Sequence, residues 1–184
     1  MSLTHAILTS LLEKACTGAE LARRFDKSLG HFWQASHQQI YRELAAMEKA
    51  GLVCSHGLPS TRGRQRHFEV LPAGHTELAR WCAEEGQPRP IRDALLVRLR
   101  AAAVLGTAGA GAAVTAQMGS HRMIHARTLQ GYVEMMARDF PPGAARSRSQ
   151  ELQAAVLQAG IAYESSWLAW CENALPTLQP DAAG

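Results

Sequence analysis

The sequence predicts a mostly α-helical protein in which β-structure is confined to the first half. Three observations support this fold class. Apolar residues recur at helical spacing through most of the 184-residue chain. Two short segments rich in β-forming residues, 52–56 and 65–71, flank a turn-rich segment. No strand-like alternation of polar and apolar residues follows residue 90, so we expect the second half to be all helical.

Three short helices are predicted ahead of the two β-segments. The first follows from four apolar residues at helical spacing, Ile7, Leu8, Leu11 and Leu12. Thr17 with Glu20 three residues later has the pattern of a capping box and opens the second helix. Ser36 with Gln39 repeats that pattern and opens the third.

The two β-segments predict an antiparallel hairpin, and a fourth helix follows it. Pro72 suits the first turn of that helix. We expect three of its residues to anchor it, namely Leu78, Trp81 and Cys82. Three helices followed by a hairpin describe a winged helix-turn-helix, in which the helix before the hairpin normally enters the major groove of DNA.

A linker separates this part from the rest of the chain. Gly86, Pro88 and Pro90 interrupt any helix there. We therefore predict a DNA-binding domain over 1–86, a linker over 87–90, a helical domain over 91–175 and a tail over 176–184. The helical domain is expected to hold three helices, over 92–105, 112–140 and 148–175, with a glycine-rich break at 106–111.

The last predicted helix carries two apolar stripes. One has the spacing of a coiled-coil seam and comprises Leu152, Val156, Ala159, Tyr163, Ser166 and Trp170. The other comprises Leu157, Ile161, Leu168 and Cys171. Two stripes need two neighbours, which three helices in a region of ~95 residues cannot readily supply. We predict an all-α dimerisation domain with long antiparallel helices, in which the seam meets a second copy; an intrachain three-helix bundle is the alternative.

The third helix and the hairpin carry the candidate DNA contacts. On that helix, the polar residues lie opposite an apolar stripe of Ile40, Leu44 and Met47. Gln and Arg suit base edges, and hydroxyls suit the DNA backbone. Residues 56–67 hold three arginines, two histidines and no acid, although a solvated loop would look the same. The predicted contact residues are Ser36, His37, Gln38, Gln39, Tyr41, Arg42, Arg62, Arg64 and Arg66.

Enzymatic and cofactor chemistry find little support. Ser36 and His37 are adjacent, and Ser36 is better used as a helix cap than as a nucleophile. No glycine-rich nucleotide motif opens a helix after a strand. His121 and His125 stand four apart and could bind a metal, but no third ligand is near them in sequence. We expect neither catalysis nor a cofactor.

Composition and cysteine usage fit a cytoplasmic protein. A net charge of +3 is too small to indicate a polyanionic partner by itself. The four cysteines form no CxxC pair and no signal peptide precedes them, so reduced thiols are expected. The most apolar stretch, 97–118, is interrupted by arginines and glycines, and we therefore expect no membrane span.

Many of these residues resemble the PadR family of bacterial transcriptional regulators. In the first half they are Ala6-Ile7-Leu8, Leu11-Leu12, Gly18, Glu20-Leu21-Ala22, Arg24-Phe25, the run 32–44, Glu48, Gly51-Leu52-Val53, Arg62-Gly63-Arg64, Gly74, Leu78 and Trp81. Further on they are Arg92-Asp93, Leu95-Leu96, Gly160-Ile161-Ala162-Tyr163-Glu164 and 167–170, the last two of which resemble the helical C-terminal domain of the virulence-activator-like subgroup.

The resemblance implies a homodimer that binds an inverted-repeat operator in double-stranded DNA, usually as a repressor. A small ligand releases the DNA in members where one is known. The chain departs from the family at Ala19 and Phe68, where members usually carry Tyr, so any hydroxyl contacts made there are missing. Pro72 replaces a Thr that commonly caps the fourth helix.

Two alternatives concern partners. A winged helix also serves as a protein–protein adaptor, and salt-dependent DNA binding separates the two functions. The tryptophans could line an aromatic pocket for a small effector, but burial in a core is their more common fate and is what we expect. They are Trp33, Trp81, Trp167 and Trp170.

Overall fold

A computed structural model describes residues 3–27, 35–57, 65–88, 90–105 and 107–178, without the side chains of 26–27 and 107–110. The chain divides into two compact units, Met1–Pro88 and Arg89–Gly184. The elements of the first unit are α1 (Leu3–Glu13), β1 (Cys16–Thr17), α2 (Gly18–Lys27), α3 (His37–Lys49), β2 (Val53–Gly57), β3 (Arg66–Val70) and α4 (Pro72–Cys82). Those of the second are α5 (Ala94–Leu105), α6 (Thr107–Asp139), α7 (Arg148–Ala174) and a terminal 3-10 turn (Leu175–Leu178).

The first unit is a winged helix, as the sequence predicts. Its core joins α1, α2 and α3 to one face of the sheet, and its fully buried side chains include Ile7, Leu8, Leu21, Phe25, Ile40, Leu44, Met47 and Val53. Both predicted capping boxes are confirmed: Thr17 and Glu20 exchange hydrogen bonds at the start of α2, and Ser36 and Gln39 do so at the start of α3.

The sheet has three strands where the sequence predicts two. Its order is β1-β3-β2, with both pairings antiparallel. Cys16 lies opposite Phe68 and Thr17 opposite His67, which makes β3 the central strand. A two-residue strand is too short to show the period-2 pattern that identifies strands in a sequence. Pairing with β3 therefore decides its conformation.

Helix α4 contacts the rest of the first unit through two of its three predicted anchor residues. Leu78 contacts the core, but Trp81 is only half-buried and stacks on the His5 ring at a centroid distance of 4.6 Å. Cys82 is exposed, so the prediction that it anchors the helix is wrong. The helix ends at Cys82, where no further turn covers the thiol.

The second unit packs its helices antiparallel, as predicted for the long pair. Met118, early in α6, shares a buried cluster with Cys171, late in α7, and His125 further along α6 contacts Glu164. The predicted break at 106–111 is wrong for residues 107–111, which are the first residues of α6. Alanines alternate with the glycines there, and each helical glycine costs only about 1 kcal/mol relative to alanine.

Helix α5 begins two residues later than predicted. The Asp93 carboxylate accepts a hydrogen bond of 2.7 Å from the Leu95 backbone N–H and so occupies the position of a cap. No helix in the described part of the chain is long and apolar enough to cross a membrane.

Gly74 is the position in α4 where a side chain would disrupt packing. A Cβ there would overlap the Leu52 carbonyl oxygen and lie 2.7 Å from Val70 Cγ1. We expect Gly74→Ala to destabilise the protein by about 1–3 kcal/mol, measured by chemical denaturation with circular dichroism. The matched control is Gly131→Ala on α6, where a Cβ meets nothing within 4 Å and the change should be neutral or stabilising. Equal stability of the two variants would contradict this packing.

Candidate nucleic-acid interface

The outward face of α3 is polar because its inward face is bound to the core. Ile40, Leu44 and Met47 are at most 2% exposed. The helix therefore turns its opposite side to solvent, and the exposed residues there are His37, Gln38, Gln39, Tyr41 and Arg42. These are five of the predicted contact residues. They form one exposed surface at the N-terminal half of the helix.

Ser36 and Gln39, two of the predicted contact residues, also stabilise the start of α3. The Ser36 backbone N–H donates to Gln39 Oε1 at 2.8 Å, and the Gln39 backbone N–H donates to Ser36 Oγ at 3.3 Å. Both side chains are exposed while they make these bonds. They hold the start of α3 and thereby orient the neighbouring side chains.

Tyr41 borders a groove between α3, β3 and the start of α2. A Cβ at Gly18 would lie 2.6 Å from Tyr41 Cε1, so glycine is required for the ring to take this position. The groove has a volume of about 300 Å³, and its lining includes Ala19 and Phe68. Neither of these two side chains brings a hydroxyl to the groove.

The base of the hairpin is tied to α3 through Glu48. Its Oε1 accepts hydrogen bonds of 2.7 Å from Arg66 Nη2 and from Ser55 Oγ. The Ser55 hydrogen bond and the nearby Arg66 guanidinium lower the pKa of the Glu48 carboxyl. Arg66 also lies over the Phe68 ring. Its side chain is still 53% exposed, so it presents its charge beside the α3 surface.

The other two wing arginines, Arg62 and Arg64, lie outside the described residues, as does Trp33. The tryptophans that the structure describes are half-buried. Trp170 packs against the buried cluster of the second unit, as expected for a core residue, whereas Trp81 and Trp167 belong to neither cluster, so the expectation is wrong for those two. Trp167 stacks on His125 at 5.3 Å and meets Trp170 edge-on at 5.2 Å. Trp81 and Trp167 each stack on a histidine ring rather than on aliphatic core side chains.

The predicted dimerisation residues lie on the exposed side of α7. Leu152, Val156 and Tyr163 are 53–58% exposed, Ala159 is exposed and Trp170 is half-buried. The opposite side packs against the same chain through Ala154, Leu157, Gly160, Glu164 and Cys171. One stripe is therefore used within the chain, and the seam remains accessible except at Trp170, which packs against the buried cluster of its own chain.

The two histidines considered as metal ligands from the sequence lie one turn apart on α6, and His125 is paired with a carboxylate. His125 Nδ1 lies 2.5 Å from Glu164 Oε2, in a pair that is largely buried. Within the described ranges, the side chains whose ligand atoms converge are instead Cys54, His56 and Glu69 on the hairpin. This set has no signature in helical spacing or in a CxxC pair, so it was not predicted from the sequence. Its signal is the alternation along the predicted hairpin, which places Cys54, His56 and Glu69 on one face.

Similarity to known proteins covers both units. A model of the transcriptional regulator PadR-like family matches residues 7–80, and one of the virulence activator alpha C-term matches residues 91–179. The probable transcriptional regulator Rv1176c of Mycobacterium tuberculosis is 40% identical over 194 residues, which cover 97% of this chain and 98% of the relative. This chain belongs to the PadR-like family of transcriptional regulators. The family consists of regulators, which are not enzymes.

Two further similar proteins have solved structures. The Vibrio cholerae virulence activator AphA is 28% identical with a TM-score of 0.77, covering 96% of this chain and 98% of its own. The negative transcriptional regulator PadR of Bacillus subtilis is 25% identical over 97% of this chain and 98% of the relative. The structure of B. subtilis PadR in complex with operator DNA has a TM-score of 0.79 and 20% identity, and the match covers 95% of this chain and 97% of that chain. The structure of its complex with p-coumaric acid has a TM-score of 0.73 and 21% identity, and the match covers 96% of this chain and 98% of that chain. These two complexes share the fold.

Glu48 makes the contact between α3 and the hairpin sensitive to acid. Because its folded-state pKa lies below the ordinary 4.5, its stabilising contribution is complete above about pH 4.5 and is lost as the pH falls through the lower folded value. We expect thermal stability to fall less steeply between about pH 5 and 3 in Glu48→Gln than in the unmodified protein. Glu13→Gln, at the exposed end of α1, is the control. Parallel stability curves for all three proteins would contradict the assignment.

Proposed function

We propose that this PadR-like regulator is a repressor that binds an inverted-repeat operator as a homodimer, with α3 in the major groove. The observation that carries the proposal is the exposed polar surface of α3 directly before the hairpin. Gln38 and Arg42 suit hydrogen bonds to base edges, and Tyr41 and Ser36 suit the DNA backbone. The name and the operator complex of B. subtilis PadR support this function.

The hairpin supplies contacts that do not depend on base sequence. Arg66, at the start of β3, is half exposed while it pairs with Glu48 of α3, and Arg62 and Arg64 precede it in the chain. Arginines on a wing suit phosphates or the minor groove. His37 and Gln39, at the N-terminal end of α3, complete the proposed surface.

Dimerisation is supported by where the apolar surface lies. Of the exposed large hydrophobic side chains, only Leu12 and Tyr41 belong to the described part of the first unit, and the others are on the second. Exposed apolar residues at coiled-coil spacing favour a second helix packed along α7. A symmetric dimer would place two α3 helices for the two halves of an inverted repeat.

A small effector is the third component of the proposal. B. subtilis PadR has been solved with p-coumaric acid. In this chain an open groove of about 380 Å³ in the second unit carries charged and polar side chains, among them Asp93, Arg98, Gln117 and His121. We expect an aromatic acid such as p-coumaric acid to release the DNA in a gel-shift titration. Unchanged DNA binding at saturating acid would contradict this ligand class.

Base reading is tested by shortening side chains on α3. We expect Gln38→Ala and Arg42→Ala each to lose about 1–3 kcal/mol of discrimination between the operator and unrelated DNA, because a base contact is removed. The measurement is fluorescence anisotropy with the sequence upstream of the coding region and a scrambled duplex. Lys49→Ala, at the exposed far end of α3, is the control for a lost charge. An equal loss of affinity for both duplexes would show that these side chains contact phosphates rather than bases. DNA binding that is absent or independent of salt would favour a protein–protein adaptor.

The dimer is tested by placing a charge on the seam of the full chain. Val156→Glu and Tyr163→Lys should give a folded monomer, because both positions are exposed within one chain but would be buried between two. Sedimentation velocity at micromolar concentration measures the mass. Affinity for the full operator should fall as well, because the α3 helix of a second copy is no longer linked to the first. Gln158→Glu, exposed elsewhere on α7, should remain dimeric. Dimeric Val156→Glu and Tyr163→Lys would contradict the seam.

A further inference from the structure

The β2–β3 hairpin carries four metal-ligating side chains on its outer face. Cys54 lies opposite Glu69, and His56 lies opposite His67. Residues two apart on a strand point to the same side, so these two cross-strand pairs form one patch. The alternate residues Val53 and Phe68 are buried in the core, which places the patch on the side away from it. The four side chains are defined here as the hairpin cluster.

The spacing of the hairpin cluster fits a single ion. Cys54 Sγ and His56 Nε2 are 3.5 Å apart. One ligand atom from each of Cys54, His56 and Glu69 lies within 4.8 Å of the other two, and His67 Nδ1 lies 3.8 Å from Glu69 Oε1. A tetrahedral zinc site with bonds of about 2.0–2.3 Å needs ligand atoms about 3.3–3.8 Å apart. The Cys–His pair already has that spacing, and the exposed Glu69 side chain closes the remainder by rotation.

We propose that the hairpin cluster is a binding site for a divalent transition-metal ion of the zinc class. Cys54, His56 and Glu69 are its protein ligands, and His67 lies beside Glu69. A thiolate and an imidazole select Zn²⁺ and similar ions over Mg²⁺ and Ca²⁺, which prefer oxygen ligands. On binding, the Cys54 thiol releases its proton and the sulfur donates to the metal.

The surroundings indicate an exchangeable ion rather than a structural one. His56 and Glu69 are exposed, so an ion enters from solvent. The hairpin already has a buried apolar face in Val53 and Phe68, and its base is tied to α3 through Glu48. The fold of the hairpin therefore has support that does not involve the metal.

An ion at this place would link β2 to β3, the two strands between which Arg62 and Arg64 lie in the sequence. It would also offset the charge of Glu69, three residues after Arg66. Both effects favour binding to phosphates, since the hairpin loses less freedom on binding and its net charge becomes more positive. We therefore expect the metal to strengthen operator binding. This second step depends on the proposed DNA-binding function, whereas the metal site itself does not.

The site is tested first without DNA, on the tag-free full-length protein. Titration with Co²⁺ should give one tetrahedral site per chain, with a thiolate-to-cobalt charge-transfer band that Zn²⁺ abolishes by competition. Cys54→Ser should lose the band, and His56→Ala should weaken binding at least tenfold. The matched controls Cys82→Ser and His75→Ala, both exposed on α4, should behave as the unmodified protein. Circular dichroism of the variants should be unchanged, because Cys54 and His56 lie outside the core.

Two results would overturn the metal site: absence of one-to-one binding in the folded protein, or a charge-transfer band that persists in Cys54→Ser. The second measurement compares operator affinity with and without Zn²⁺. The unmodified protein should bind DNA several-fold more tightly with Zn²⁺, and Cys54→Ser should show no such change. Equal operator affinity with and without Zn²⁺ would overturn the regulatory step. Failure to bind DNA in either condition would refute the proposed function and leave the measured metal site standing.

Discussion

Burial of the apolar stripe of α3 is the constraint on which the first unit depends. Ile40, Leu44 and Met47 are almost completely removed from water by α1, α2 and the sheet. Burial of each such side chain contributes about 1.5–3 kcal/mol, so rotation of the helix about its axis would be costly. The side chains of Gln38 and Arg42 consequently have one available direction, which is outward. The proposed DNA surface follows from the core.

The hairpin shows how one strand pair serves two different surfaces. Its inner face contributes Phe68 and Val53 to the core, and Ser55 and Arg66 bind Glu48 of α3. Its outer face gathers the hairpin cluster, which takes no part in these contacts. Because strand residues alternate, the same register that aligns the wing with α3 also brings the cluster together.

Helix α7 shows the same separation with a helical period. Leu157 and Cys171 face α6 and the terminal turn of their own chain, and Val156 and Tyr163 face away. The buried His125–Glu164 pair fixes the register between α6 and α7, since the two charged or polar groups would lose their partner if either helix slid. A seam presented at fixed spacing is what a second copy needs for regular packing.

The sequence by itself determined the elements that depend on neighbouring residues. Both capping boxes, the inward stripe of α3 and the two stripes of α7 follow from local spacing, because helices are built from contacts three and four residues apart. The hairpin was also predictable, and so was the family resemblance. Even here a local reading had limits, since the alanine-rich context kept residues 107–111 helical despite their glycines.

Only the tertiary structure decided the features that join distant parts of the chain. Strand β1 exists because Cys16 pairs with Phe68, fifty-two residues later. Glu48 accepts a hydrogen bond from Arg66, and Cys54 lies near Glu69. The residues of each pair are far apart in the sequence, and no helical or strand period relates them. Contacts of this kind depend on chain closure and register, which side-chain propensity does not encode. The sequence contained these side chains, and folding brought Arg66 to 2.7 Å from Glu48 and the ligand atoms of Cys54, His56 and Glu69 to within 4.8 Å of one another.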